Sequence, residues 1–407
     1  MSEPPVATEL GPSEAPEAVA PIPITKPFFG EEELLAVQQP LRSGWVVQGP
    51  QVAEFERKFS EFTGASHSVA ASSCTTALHM VVAALGSGPG DEVIVPAFTW
   101  VSTANVVEYT GARAVFCDVD LDTYNIDVDQ AASLVTERTV GIIPVHLFGL
   151  CADLDGLLEL ARRRSLWLVE DAACGLGALH HGRHAGTLGD AGCFSFHPRK
   201  SITTGEGGMV TTQREDLARV IRSLRDHGAT RSDLARHTDS AAFLLSDYDL
   251  LGFNYRMTDI QGALGSAQMD RAAWILAERR RRAAAYDAAL ADVAWLRTPV
   301  VPSGLTHGYQ AYICLYAPEQ LSLANVDDLH ARRNAVMARL EEAGIATRQG
   351  THAPVILGLY ARKYGLRPEE FPNAVLADRL TLGLPLYAQM TDEEHDRVVD
   401  ELFRAGG

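Results

Sequence analysis

From about residue 66 the chain alternates short, continuously apolar runs with stretches of helical periodicity. The runs SVAA, EVIVP, AVFCDV, VGIIPVHL and LWLVE are interleaved with TTALHMVVAALG, STANVVEYTG and DLDGLLELARRRS. This alternation predicts an α/β domain with a mostly parallel sheet and helices on both faces. Fully apolar runs such as Leu166 to Val169 fit strands covered on both sides. Ligands of such sheets gather outside the carboxyl ends of the strands. That rule directs attention to Ser73, Pro96, Asp171 and the loop leading to Lys200.

After about residue 268 the pattern changes. A long Arg- and Ala-rich helical stretch (RAAWILAERRRRAAAYDAALADV) precedes the strand-like YQAYICLYA and helical patterns at VDDLHARRNAVMARLEEAG and TDEEHDRVVDELFRA. This reads as a smaller α+β domain, with Gly344-Ile345 as a helix stop followed by a strand. The ERRRR run at 278–282 reads as a solvated helix face. The chain thus divides into a tail (1–24), a large domain (25–268) and a small C-terminal domain (269–407).

The tail MSEPPVATELGPSEAPEAVAPIPI is rich in Pro, Ala and Glu and has neither a basic start nor an apolar core of signal-peptide type, so disorder is expected. No apolar run approaches membrane-spanning length. The 407 residues carry 35 Lys+Arg against 52 Asp+Glu, a net charge of −17, which repels nucleic-acid backbones and anionic membrane surfaces. Small molecules are the expected partners. Six cysteines without a C-x-x-C pair indicate neither a zinc site nor a disulfide framework and suit a reducing, cytoplasmic setting.

The chemistry concentrates in residues 169–212, VEDAACGLGALHHGRHAGTLGDAGCFSFHPRKSITTGEGGMVTT. Asp171 ends an apolar strand, where a buried carboxylate is costly unless a cation matches it. Alone it reads equally well as a helix N-cap. Twenty-nine residues on, Lys200 lies in a loop of Ser, Thr and Gly whose small residues let backbone approach a ligand or a neighbouring subunit. A lysine amine and a carboxylate together suit pyridoxal phosphate (PLP), which needs a Schiff-base lysine and a carboxylate facing its pyridine nitrogen. The HHGRH cluster at 180–184 lies in a hairpin pattern and His197 beside the lysine; no metal role is assigned to them.

The string resembles the DegT/StrS-type sugar aminotransferases, and the likeness extends through ITKPFFGEEELLAVQQPLRSGWVVQGPQVAEFERKF, SSCTTALHM, PAFTWVSTAN, GFNYRMTDIQGALGSAQM and GLPLYAQMTDEE. It covers essentially everything after the tail. The resemblance implies the aspartate-aminotransferase type of PLP-dependent transferase fold, with Lys200 as the cofactor lysine and Asp171 as the partner of the ring nitrogen. It places Trp100 over the cofactor ring, directly after a strand end where a binding face is expected; the alternative is a core aromatic. Cys74 and Thr75 stand where the family shows Gly-Thr, at a helix start that offers amides to the phosphate. Ser195 matches a serine on that phosphate, and Asn254 an asparagine reaching it from a second subunit, which implies a homodimer with shared sites. Cys174 replaces the family's usual Gln or His near the ring's phenolic oxygen; a small core residue is the equal alternative.

The family also contains sugar dehydratases with histidine in place of the lysine, so Lys200 favours transamination. The resemblance then implies an L-glutamate or L-glutamine donor and a keto-sugar acceptor, a nucleotide-linked 3-keto- or 4-keto-deoxyhexose, with Trp45, His307, Arg348 and His352 as acceptor contacts. A keto-cyclitol acceptor of aminoglycoside-type biosynthesis shares all these groups. A non-catalytic regulatory protein of the same fold would need a DNA-binding appendage or a basic face, and the acidic chain offers neither.

Overall fold

The structure is a computed structural model and describes residues 20–230 and 246–406. Its strands, in chain order, are β1 (His67–Ala71), β2 (Glu92–Pro96), β3 (Arg113–Cys117), β4 (Thr139–Ile142), β5 (Trp167–Asp171), β6 (Leu179–His180), β7 (Arg183–His184), β8 (Ala191–Ser195), β9 (Gly208–Thr212), β10 (Leu296–Arg297), β11 (Leu305–Thr306), β12 (Tyr312–Tyr316) and β13 (Thr381–Leu384). Seven form one sheet in the order β1-β9-β8-β5-β4-β2-β3. Only β9 runs against the others, pairing antiparallel with both β1 and β8. The strands β1, β8, β5, β4, β2 and β3 therefore present their carboxyl ends along one edge. Every residue of β2 and β9 is buried, as their apolar runs require for a sheet covered on both faces.

Helices Cys74–Ala84, Ser102–Tyr109, Leu154–Arg164 and Glu215–Arg225 cover the sheet, close to where the sequence pattern placed the first three. A smaller sheet, β10-β12-β13, carries helices Val326–Glu342, Pro372–Leu380 and Asp392–Gly406. A third, β11-β6-β7, joins the hairpin 179–184 to the segment around residue 305.

Asp259–Leu290 is one helix of 32 residues, opened by a capping box of Thr258 and Gln261. The division placed at 268/269 falls inside it. The expected solvated face at 278–282 holds for Arg281, which is exposed and pairs with Glu278, and is corrected at the other three arginines. Arg279 is 2% exposed, and its guanidinium donates to the carbonyls of Tyr309 and Gln310. Arg280 reaches Gly177 O and His307 O, and Arg282 reaches Met390 O and Asp392. Carbonyl acceptors make these burials tolerable, and desolvation lowers the Arg279 pKa to about 10. The run therefore fastens loops to the long helix.

The expected tail also ends earlier than residue 24. Residues 1–19 lie outside the described residues, but Ile22 is buried and bridges Ile345, giving its amide to Gly344 O and accepting from Ala346 N–H. Ile24 O accepts from Leu386 N–H. Backbone hydrogen bonds and the buried Ile22 side chain thus fasten this segment to the C-terminal part of the chain. All six cysteines are free thiols. Among the described residues no helix is long and apolar enough to cross a membrane.

Candidate active site

Asp171, Ser195, Trp100 and Lys200 arrive from the carboxyl end of a strand or the loop that follows it. β5 delivers Asp171, which is 3% exposed. Its Oδ2 accepts from Thr103 Oγ1 at 2.8 Å and its Oδ1 from Ala173 N–H at 3.1 Å. The chain then turns without starting a helix, so the N-cap alternative is not realised. Desolvation pushes the Asp171 carboxyl above its ordinary range, against the Thr103 and Ala173 hydrogen bonds and the charge of Lys200. Two neutral donors do not balance a carboxylate this deep.

Glu170, the other member of the acidic pair, has a different environment. Its carboxylate accepts from the amides of Gly186, Leu188 and Gly189 and lies 2.8 Å from His146 Nε2. Because His146 Nδ1 accepts from Ala152 N–H at 3.1 Å, the ring's proton sits on Nε2 and is donated to Glu170. Desolvation raises the Glu170 pKa, but these bonds more than offset it and hold the carboxyl below its ordinary value. Glu170 is thus saturated with donors and pins the loop 186–189, whereas Asp171 receives only the Thr103 hydroxyl and the Ala173 amide.

Lys200 is half-buried. Its Nζ lies 3.1 Å from Cys174 Sγ, and its amide donates to His197 O. Ala173, Phe194, Ser195, Ile202 and Gln310 line the cavity around it, and Gln310 Nε2 donates to Arg199 O. Cys174 is therefore beside the amine rather than in the core. Trp100 is 59% exposed, which removes the core alternative; its ring meets His352 at 5.8 Å, and the neighbouring Thr99 N–H donates to His352 O.

Helix Cys74–Ala84 begins at the same edge. Ser73 caps it by accepting from Thr76 N–H, while helix geometry leaves the amides of Cys74 and Thr75 without intrahelical acceptors. The Cys74 thiol turns inward to Cys193 O, and burial pushes its pKa well above the usual range. Only the backbone at position 74 is offered to a ligand. Gly208 of β9 runs beside this helix start: a Cβ there would lie 2.4 Å from the Ser73 carbonyl. Ser195, at the end of β8, receives His197 N–H at 3.4 Å.

The acceptor candidates separate. Arg348 and Arg199 line one cavity with Gln310 and Ile24, and burial, then the charge of Arg199, lower the Arg348 pKa. His352 joins Trp100 as described. His307 is a correction: it is buried, its Nδ1 accepts from Tyr309 N–H, its ring stacks on Tyr309, and it does not line the Lys200 cavity. Trp45 donates its Nε1 to Gln48 O and covers Gly49 at the entry to helix Pro50–Thr63. Asn254 is exposed, bridging Asp226 in a segment whose Tyr255 O accepts from Ser72 N–H. Sequence reasoning missed Thr103, His146 and Glu170. The first follows Trp100 by one helical turn, a spacing that could have suggested it.

Pyridoxal phosphate suits this set of groups. A protonated ring nitrogen is the cation that Asp171 lacks, the helix start and Ser195 provide donors for a phosphate, and the indole of Trp100 offers a face for a ring. Fold and site together define a PLP-dependent aminotransferase. The chain belongs to the DegT/DnrJ/EryC1/StrS aminotransferase family, which matches residues 27–403. It is 37% identical over 383 residues to GDP-perosamine synthase of Caulobacter vibrioides, covering 94% of this chain and 97% of that protein. It is 36% identical to the spore coat polysaccharide biosynthesis protein SpsC of Bacillus subtilis over 379 residues, 93% of this chain and 95% of the relative. Among solved structures, the PLP form of Spr1654 from Streptococcus pneumoniae, assigned as a sugar aminotransferase, superimposes with a TM-score of 0.86 at 30% identity, over 95% of this chain and 98% of the other.

Proposed function

We propose that the protein transfers the amino group of L-glutamate or L-glutamine to a nucleotide-linked 3-keto- or 4-keto-deoxyhexose. The observation that carries this reading is the pairing of a half-buried amine, Lys200, with a buried carboxylate, Asp171, that makes no ion pair among the described residues, in a chain whose relatives include GDP-perosamine synthase. PLP, when bound, supplies the electron sink and carries the amino group between the two substrates. Asp171 holds the proton of the ring nitrogen, and Thr103 fixes that carboxylate in place. Lys200 Nζ removes a proton at the donor's amino-bearing carbon and later returns one at the sugar carbon that becomes aminated. The amides of Cys74 and Thr75, with Ser195, hold the phosphate; Trp100 covers the ring; Cys174 accepts a hydrogen bond from Lys200. Arg348, His352 and Trp45 are the acceptor contacts.

A homodimer belongs to the same reading, with Asn254 reaching the second subunit's site. The large apolar residues Tyr248, Leu250 and Leu251 are exposed just before it, Leu251 to 94%, an arrangement suited to an interface.

The test is an absorbance spectrum from about 300 to 500 nm with and without L-glutamate, followed by mass spectrometry of a keto-sugar panel. The wild type should show a visible lysine-linked cofactor band that glutamate bleaches, and should then aminate a nucleotide-linked keto sugar. A Lys200→Ala protein that still turns over would overturn the assignment of the lysine. A keto-cyclitol aminated in preference to every nucleotide sugar would replace the acceptor.

A further inference from the structure

The hairpin β6–β7 carries three histidines, and two of them converge on a carboxylate from a distant part of the chain. Successive side chains on a strand point to opposite faces. His181 departs from this because it and Gly182 occupy the left-handed region, with φ of 47° and 79°, as the two central residues of a tight hairpin turn do. Its ring folds back and stands edge-on to that of His180, with centroids 4.6 Å apart at 82°.

Both Nε2 atoms face Asp155 Oδ2, at 3.2 Å from His181 and 3.8 Å from His180. All three potential ligand atoms lie within 4.8 Å of one another. Neighbouring ligands of a tetrahedral zinc ion with bonds of about 2.0–2.1 Å stand about 3.3 Å apart. The two histidine-to-carboxylate separations, 3.2 and 3.8 Å, bracket that value before any ion draws the groups together.

The surroundings hold the rings in place. Asp155 is the second residue of helix Leu154–Arg164, whose start is fixed by the Asp153 cap on Gly156 N–H. On the other side, Gly304 O accepts from His181 N–H at 3.0 Å, and a Cβ on Gly304 would lie 2.5 Å from His181 Cε1. Only glycine leaves the imidazole its room. The groove alongside, of about 710 Å³, is lined by Asp120, Asp127, Asp129 and Asp153 and by no lysine or arginine. That is a field that concentrates cations. None of these residues lines the Lys200 cavity.

We propose that Asp155, His180 and His181 bind a divalent transition-metal ion of the zinc type. Two imidazoles and one carboxylate suit Zn²⁺, Cu²⁺ or Ni²⁺ and leave a position open to water. The ion ties helix Leu154–Arg164 to the hairpin and works independently of amino transfer.

Titration calorimetry of tag-free, PLP-loaded protein with Zn²⁺ tests this, alongside Co²⁺ titration followed by visible absorbance. The wild type should bind one Zn²⁺ per chain saturably, gain melting temperature on binding, and show Co²⁺ bands of nitrogen–oxygen ligation. Asp155→Asn and His181→Asn should weaken Zn²⁺ at least tenfold and lose the thermal gain, with metal-free transaminase rate unchanged. Asn is chosen at 181 because it tolerates a positive φ. Equal Zn²⁺ affinity in wild type and both variants, or no saturable binding by the wild type below about 1 mM, overturns the proposal.

Discussion

Lys200 Nζ lies 3.1 Å from Cys174 Sγ, so the amine proposed to carry the chemistry has a thiol as a hydrogen-bond partner. Sulfur is a weak acceptor, and the contact positions the amine more than it binds it. Cys174→Ala should therefore lower kcat/KM only about 2- to 10-fold, the range of one modest hydrogen bond. A loss beyond about a hundredfold in steady-state kinetics would give the thiol a larger role than position.

Asp171 supplies a prediction with opposite signs in two states. Its carboxyl is raised by desolvation, so between the ordinary and the raised pKa the folded protein binds more protons than the unfolded chain. Stability without cofactor then falls as pH rises through that window. Asp171→Asn should leave the cofactor-free protein at pH 7 as stable as the wild type or more so, while reducing turnover at least about a hundredfold. Calorimetric melting of both cofactor-free proteins checks this; a marked loss of stability in the variant would contradict the unbalanced-carboxylate reading.

Glu170 should behave in the reverse way. Its lowered pKa means that its stabilising contribution is fully present above the ordinary glutamate range and is lost as pH falls through the lowered value. Glu170→Gln turns an amide group toward one of the three backbone N–H groups it now receives and should cost about 1–3 kcal/mol. Denaturant melts at pH 7 and near pH 4 would show a gap between variant and wild type that narrows in acid.

Gly208→Ala should strike the helix start proposed to hold the phosphate. The added methyl meets the Ser73 carbonyl and the Cys74 amide, and neither is a flexible group. Strand and helix start must part, and PLP affinity should fall at least tenfold by fluorescence titration. Unchanged affinity would show that the helix start is not where the phosphate is held.

Arg348 shares its cavity with Arg199, two cations without a carboxylate among the residues lining it. Arg348→Leu should raise the acceptor KM at least tenfold and leave bleaching of the cofactor band by glutamate nearly unchanged. Slower bleaching in this variant would instead assign the arginine to the donor.

The sequence by itself determined the α/β architecture and, through its family resemblance, the class of cofactor chemistry to expect. Short apolar runs in EVIVP and LWLVE, alternating with helical patterns, fit strands of a sheet covered on both faces, and β2 and β5 lie where those runs do. Asp171 alone stays open between a helix N-cap and a cofactor contact; Lys200 in its Ser-, Thr- and Gly-rich loop, together with the family resemblance, singles out the pair. Tertiary structure decided what depends on distant partners. The arginines at 279, 280 and 282 look like a solvated face until loops from residues 177, 307 to 310 and 390 bring carbonyls to them. His307 looks like a polar pocket residue until Tyr309 stacks on it. Glu170 and Asp171 are adjacent and chemically alike, yet one is filled by three amides and a histidine and the other is left open. Hydrogen-bond saturation is a property of the folded neighbourhood, and no local pattern of residue types encodes it.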